Sequence, residues 1–170
     1  AASPPCPCTF NRYTPMSPDV AQPVVVLHPL LQRLVEQTGA AVLDGESFDA
    51  WAERPGAAMV VFADDPERNK ETLDLAVIVP ELHAGHARGF RVALLPPAAA
   101  RALAPRYGFA RWPAFVMLRD GRYVGAVDGI RDWDVYLDEL DRLLAAEPTR
   151  PPSVGIAVTV AGQPASPTCH

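Results

Sequence analysis

The sequence has few cysteines, and all of them lie near its ends. Three of the 170 residues are cysteine, at positions 6, 8 and 169, and none falls between residues 30 and 147. Small domains that depend on disulfides space their cysteines through the region that folds. The pattern therefore excludes a disulfide framework, and it leaves the central part of the chain without a thiol for redox chemistry.

Long apolar runs and an excess of positive charge are also absent. Apolar runs such as residues 24–27 and 76–79 are much shorter than the roughly 20 residues that cross a bilayer. The start of the chain has no apolar stretch typical of a secretory signal, so we expect a cytoplasmic protein without membrane insertion. The net charge is -5 and the Lys and Arg residues are scattered. This excludes a nucleic-acid-binding stripe and favours a cationic partner.

Proline, in contrast, is concentrated at both ends. Seven of the 19 prolines fall within residues 1–29 and five within residues 148–170. Such segments bury too little apolar area to offset the loss of chain entropy. We expect a flexible N-terminal tail over residues 1–22, one globular domain over 23–147 and a C-terminal tail over 148–170. Met16 is a candidate native start, and residues 154–160 are a candidate isolated strand.

Helical and strand patterns alternate through the domain. Residues 57–62 are an apolar run with β-branched residues, short enough to be a buried strand, and Asp120-Gly121 suits a two-residue hairpin turn. Asp65 followed by Pro66 predicts the start of the third helix, which would contain Pro80. The expected strands are residues 40–43, 57–62, 90–95, 114–119 and 122–127, and the longer expected helices are 30–39, 65–88, 98–107 and 132–146. The order predicts an α/β fold with a central mixed sheet of about five strands, helices on both faces, and a C-terminal hairpin plus helix.

This order, with a proline inside the third helix and Tyr107-Gly108-Phe109-Ala110-Arg111-Trp112-Pro113 before the hairpin, resembles thioredoxin over about residues 28–146. The resemblance implies a cis Trp112–Pro113 bond. Thioredoxins keep a Cys-x-x-Cys pair after the second strand, where this chain has residues 66–69 or 72–75, depending on the end from which one counts. Neither stretch contains a cysteine, so dithiol exchange within the domain is excluded.

A narrower resemblance is carried by residues 62–68 (Phe-Ala-Asp-Asp-Pro-Glu-Arg), 106–109 (Arg-Tyr-Gly-Phe), 112–114 (Trp-Pro-Ala) and 125–130 (Gly-Ala-Val-Asp-Gly-Ile), followed by Trp133. These resemble the hydrogenase expression proteins HyaE, HupG and HoxO. The resemblance implies a non-catalytic chaperone, without a cofactor, for the small subunit of a membrane-bound uptake nickel-iron hydrogenase. It would bind the twin-arginine signal peptide of the precursor before export, and other hydrogenase accessory proteins are further candidate partners.

A twin-arginine peptide has two guanidinium groups followed by an apolar segment. Its receptor should therefore offer carboxylates beside an apolar surface. Acidic residues follow the second strand, at the edge where α/β sheets bind ligands. In thioredoxins the backbone before the cis-proline pairs with an extended substrate. The candidate peptide-binding residues are Asp64, Asp65, Pro66, Glu67, Arg68, Arg111, Trp112 and Pro113.

Some acidic and aromatic residues have simpler interpretations. Helix capping alone could explain Asp65 and Glu67, although capping and peptide binding are compatible. Asp134, Asp138 and Asp141 lie on the side of the last helix opposite its apolar residues, which indicates a solvated face. We interpret Trp133 as part of the core, together with Leu137 and Leu140.

Two alternative functions remain open. A thiol-disulfide oxidoreductase would use Cys6 and Cys8, and a nickel-handling protein would use His83 and His86, which lie one helical turn apart. A stable metal site needs three or four ligands, and no third ligand is predicted nearby, so we expect no metal. The sequence has no glycine-rich phosphate loop and no nucleophile elbow, which argues against nucleotide chemistry and hydrolysis.

Overall fold

The computed structural model describes residues 26–87 and 89–152. Our predictions for the three cysteines, Met16 and residues 154–160 lie outside these residues. Five α-helices and five strands follow one another along the described chain. They are α1 (Pro29–Thr38), β1 (Ala41–Val42), α2 (Ser47–Ala52), β2 (Ala57–Phe62), α3 (Glu71–Gly85), β3 (Arg91–Leu95), α4 (Pro97–Leu103), β4 (Ala114–Arg119), β5 (Arg122–Asp128) and α5 (Trp133–Ala145), with a 3-10 turn at Ala104–Arg106.

The strands form one mixed sheet in the order β1-β3-β2-β4-β5, and a mixed sheet of five strands is what the sequence predicts. β1 and β2 run parallel to β3, while β4 is antiparallel to both β2 and β5. Phe62 pairs with Ala114, so the last residue of β2 lies beside the first residue of β4. The loop after β2 and the loop before β4 therefore meet at one edge of the sheet.

Helices cover both faces of the sheet. Successive residues of a buried strand point to opposite faces, so each central strand contributes to two cores. On β2, Met59 and Val61 belong to the core under α1, α3 and α5. Val60 and Phe62 belong to the core under α2 and α4. Both cores are apolar, which gives the edge containing the two loops a rigid support.

The third helix begins later than the sequence predicts. Asp65 does not start it; α3 runs from Glu71 to Gly85 and contains Pro80. Asp65 instead closes a turn, in which its Oδ1 accepts the N–H of Glu67 at 3.0 Å and its carbonyl accepts the N–H groups of Arg68 and Asn69. An Asp-Pro pair favours a tight turn as strongly as a helix start, and here the turn is what forms.

The prediction that Trp133 is a core residue is also wrong. Its side chain is 46% exposed, whereas Tyr136 and Leu140 in the same helix are 1% and 0% exposed. The spacing of Tyr136, Leu140 and Leu143 keeps these three residues on the buried face. Trp133 is three residues before Tyr136 and lies at the first helical position, before the first buried residue of the helix.

The chain after α5 remains in contact with the domain as far as the structure describes it. The N–H of Thr149 donates to the carbonyl of Tyr123 in β5 at 2.6 Å. The carbonyl of Pro152 lies 2.6 Å from where a Cβ of Gly108 would be, and Gly108 has a φ of +63°. Residues 148–152, which we assigned to the tail, therefore pack on the domain, against β5 and the segment before β4.

Candidate functional site

The predicted cis bond between Trp112 and Pro113 is present. Residues 110–113, here called the ledge, lie directly before β4. The ledge is connected to residues 64–69, here called the acidic loop, because the Asn69 side-chain amide donates to the Trp112 carbonyl at 3.2 Å. The indole of Trp112 also packs edge-to-face on Phe109, with ring centroids 5.2 Å apart. The acidic loop and the ledge are therefore neighbours, as the sequence predicts.

Between them lies a depression of about 570 Å³, here called the ledge groove. Four predicted site residues line it: Asp64, Arg68, Arg111 and Trp112. Asn69, Glu71, Gly129 and Ile130 complete the lining. Of these four, Glu71 and Asn69 belong to the start of α3 or the turn before it, which our prediction placed inside the helix.

The charge of the Asp64 carboxylate is already balanced by an arginine. Its Oδ1 accepts a hydrogen bond from the Arg101 guanidinium at 2.6 Å, and its side chain is 17% exposed. Partial burial alone would raise the pKa of Asp64. The hydrogen bond from Arg101, the Asp65 N–H and the positive charges of Arg101 and Arg68 outweigh burial and lower the pKa below its usual value.

Asp128, at the end of β5, fixes the ledge. Its Oδ2 accepts the N–H groups of Ala110 and Arg111 at 3.1 Å each, and its Oδ1 faces the guanidinium groups of Arg111 at 3.3 Å and Arg131 at 3.1 Å. Burial would raise the pKa of Asp128, but these hydrogen bonds and the charge of Arg111 lower it. Our site prediction missed Asp128, although it lies within the motif at residues 125–130.

The other predicted residues of the acidic loop line a different depression. Asp65, Pro66 and Glu67 line a smaller depression of about 250 Å³ between the acidic loop and the start of α1, here called the α1 depression. Apart from His28, its remaining described lining is apolar: Val26, Leu27, Leu31 and Pro97. The acidic loop thus contributes to both depressions. Asp64, Arg68 and Asn69 line the ledge groove, and Asp65, Pro66 and Glu67 line the α1 depression.

The two histidines considered as nickel ligands have protein partners. His83 Nε2 donates to the Phe90 carbonyl at 2.9 Å, and His86 Nδ1 donates to the Leu82 carbonyl at 2.7 Å. His86 Nε2 also lies 3.1 Å from Asp141, which belongs to the acidic face of α5. Among residues 26–87 and 89–152, no three potential metal-ligating side chains form a group.

The fold and the site define a class: a thioredoxin-fold protein with a cis-proline ledge and no cysteine among the residues that the structure describes. A solved structure supports the fold, that of a mutant thioredoxin from Halobacterium salinarum NRC-1. It matches with a TM-score of 0.51 and 23% identity, over 64% of this chain and 94% of that one. No helix in the described part of the chain is long and apolar enough to cross a bilayer.

Within this class, the chain belongs to the HyaE family, since the family model for hydrogenase-1 expression protein HyaE matches residues 30–136. It is similar to the hydrogenase expression/formation protein HoxO of Cupriavidus necator, with 42% identity over 84% of this chain and 88% of the relative. HoxO of Azotobacter vinelandii is 35% identical over 82% and 93% of the two chains. HupG of Rhodobacter capsulatus is 34% identical over 76% and 95%. The protein therefore has a hydrogenase expression/formation role.

Proposed function

We propose that this protein is a non-catalytic maturation chaperone for the small subunit of a membrane-bound uptake nickel-iron hydrogenase. In this proposal it binds the twin-arginine signal peptide of the precursor in the cytoplasm, before export, and requires no cofactor. Its relatives are expression/formation proteins of hydrogenases, which supports a hydrogenase precursor as the partner.

The observation that carries the proposal is the hydrogen bond from Asn69 to the carbonyl of Trp112. It holds a loop with three carboxylates against a cis-proline ledge, at the carboxyl end of β2. This end of an α/β sheet is where ligands usually bind. A redox thioredoxin needs a thiolate at this location, but none of the residues from 30 to 147 is a cysteine, so binding is the function that the site supports best.

Peptide binding would proceed by strand-like pairing at the ledge. An extended peptide gains affinity from main-chain hydrogen bonds and specificity from pockets for alternate side chains. The Asn69 amide now satisfies the Trp112 carbonyl, so a peptide N–H could replace that amide without leaving a buried acceptor unpaired. The aromatic pair of Trp112 and Phe109 supplies apolar surface beside the pairing site.

The test is capture of a hydrogenase small-subunit precursor by the full-length protein. We expect the precursor to be retained and the precursor without its signal peptide to be lost. Trp112→Ala should weaken capture at least fivefold, because Trp112 lines the ledge groove. Trp133→Ala is the matched control, since it also removes an indole but at an exposed position on α5, and it should retain capture. Equal capture with and without the signal peptide would contradict the proposal.

A further inference from the structure

We propose that the α1 depression, and not the ledge groove, receives the arginine side chains of the signal peptide and the apolar residue next to them. This inference rests on the proposed function and assigns its two parts to different sides of the acidic loop. The peptide backbone would lie on the ledge, and the arginine side chains would reach over the loop to Asp65 and Glu67.

The ledge groove is a poor environment for a guanidinium group. Of the two carboxylates in its described lining, Asp64 is already paired with Arg101 at 2.6 Å, and Glu71 shares the lining with two arginines. Arg68 and Arg111 themselves line the groove. An incoming arginine would be repelled by these cations or would have to displace an existing ion pair.

The α1 depression has the opposite charge balance. Asp65 and Glu67 form no ion pair among residues 26–87 and 89–152. No described lysine or arginine lines the depression. His28 accepts the N–H of Leu30 on its Nδ1 at 3.3 Å. A described lining with two acidic residues and no lysine or arginine complements a pair of guanidinium groups.

The Asp65 carboxylate is held in place by the loop itself. Asp65 Oδ1 is held by the N–H of Glu67 at 3.0 Å, within the turn that replaces the predicted helix start. Pro66 between them limits the backbone further. A ligand group therefore meets a preorganised acceptor, and less conformational entropy is lost on binding.

The remaining walls fit the residues that follow an arginine pair in such a peptide. Val26 is 90% exposed, and Leu27, Leu31 and Pro97 complete an apolar rim around the carboxylates. An ion pair is stronger where apolar walls partly exclude water. The depression is about 250 Å³, against about 570 Å³ for the ledge groove, so it suits side chains better than a length of backbone.

The experiment uses the full-length protein and a fluorescent synthetic peptide in which two adjacent arginines precede an apolar segment. A second peptide has both arginines replaced by glutamine. The double variant Asp65→Asn with Glu67→Gln removes the charges and keeps similar shapes, and Asn at position 65 can still accept the turn hydrogen bond. Asp134→Asn with Asp138→Asn is the matched control, with the same charge change on α5 at residues that line neither depression.

We expect the loop double variant to bind the arginine peptide at least tenfold more weakly in fluorescence anisotropy. Its affinity for the glutamine peptide should equal that of the wild type, and the α5 control should bind both peptides within twofold of the wild type. Equal losses for the two double variants, or an equal loss for the two peptides, would overturn the assignment, because the carboxylates would then not recognise arginine at this location.

Failure of this inference can be separated from failure of the proposed function. If the loop double variant captures the precursor as well as the wild type, and capture still requires the signal peptide, the function stands and the assignment of the arginines is wrong. A photo-crosslinker placed at Leu27 gives a direct second readout. Crosslinks to the arginine peptide support the proposal. Crosslinks only to the protein's own residues before Val26 would show that these residues occupy the depression, and would overturn the proposal.

Discussion

At the scale of single residues, Asp128 shows how one carboxylate can hold the ledge in place. It accepts two N–H groups from the ledge and faces two guanidinium groups, with a side chain that is 21% exposed. Hydrogen bonds to a charged acceptor are stronger than neutral ones. The ledge therefore keeps its shape through a residue that need not touch a peptide.

Asp128→Asn tests this contribution. Asparagine removes the charge, and its NH₂ group would face the N–H and guanidinium donors that surround Asp128. We therefore expect a loss of about 1–3 kcal/mol in the free energy of unfolding near neutral pH. Because the folded pKa of Asp128 is lowered, the wild-type carboxylate contributes fully above the unfolded value of about 3.9. That contribution disappears as the pH falls through the folded pKa. Urea unfolding at neutral pH and at about pH 3 should show the difference narrowing in acid. Asp138→Asn is the control, and a difference that grows in acid would contradict the prediction.

At the scale of secondary-structure elements, the strands are predicted better than the helix ends. Residues 57–62 and 114–119 form strands with the predicted bounds, because an apolar run of this length between turn signals is short for a helix and typical of a buried strand. The predicted start of α3 is six residues too early, since Asp65 and Pro66 suit both a helix and a turn. The choice between the two depends on tertiary packing, which local sequence does not specify.

The same limit applies to the site. The order of elements predicts that the acidic loop and Trp112 meet, and the Asn69 hydrogen bond confirms it. The direction in which each loop side chain points depends on turn geometry that propensity does not specify. For this reason we predicted one site containing Asp65, Glu67 and Trp112, whereas Asp65 and Glu67 line the α1 depression.

The segment after α5 gives a prediction at this scale. Gly108→Ala would strain a residue with a φ of +63° and place a Cβ 2.6 Å from the Pro152 carbonyl. We expect a loss of about 1–3 kcal/mol in the free energy of unfolding, combining left-handed strain with the clash. We also expect faster hydrogen exchange of the Thr149 amide, measured by NMR. Gly45→Ala, where no atom lies within 4 Å of the new Cβ, is the control. Unchanged protection of Thr149 would show that Pro152 does not hold the segment.

At the scale of the whole molecule, the net charge of -5 has the sign expected for a partner with a cationic segment. Long-range attraction speeds the encounter of oppositely charged molecules, and salt screens it. Apolar contacts are much less sensitive to salt in this range. The two contributions can therefore be separated by ionic strength.

We predict that raising the salt concentration from about 0.05 M to about 0.5 M lowers the association rate of the arginine peptide several-fold and changes its dissociation rate less. The glutamine peptide should show little change in either rate. Stopped-flow fluorescence with the full-length protein measures both rates. A salt effect of equal size on the two peptides would indicate that charge does not guide their binding.

The two edge strands of the sheet, β1 and β5, limit how another polypeptide can add to it. β1 is only two residues long, and on the opposite border the Tyr123 carbonyl already takes the amide of Thr149. Exposed edge strands are where one β-sheet adds to another and aggregation begins. In the proposed function the protein would meet precursors that are not yet folded and can add strands in this way. A short strand at one edge and a partly occupied strand at the other would limit coaggregation with such a partner.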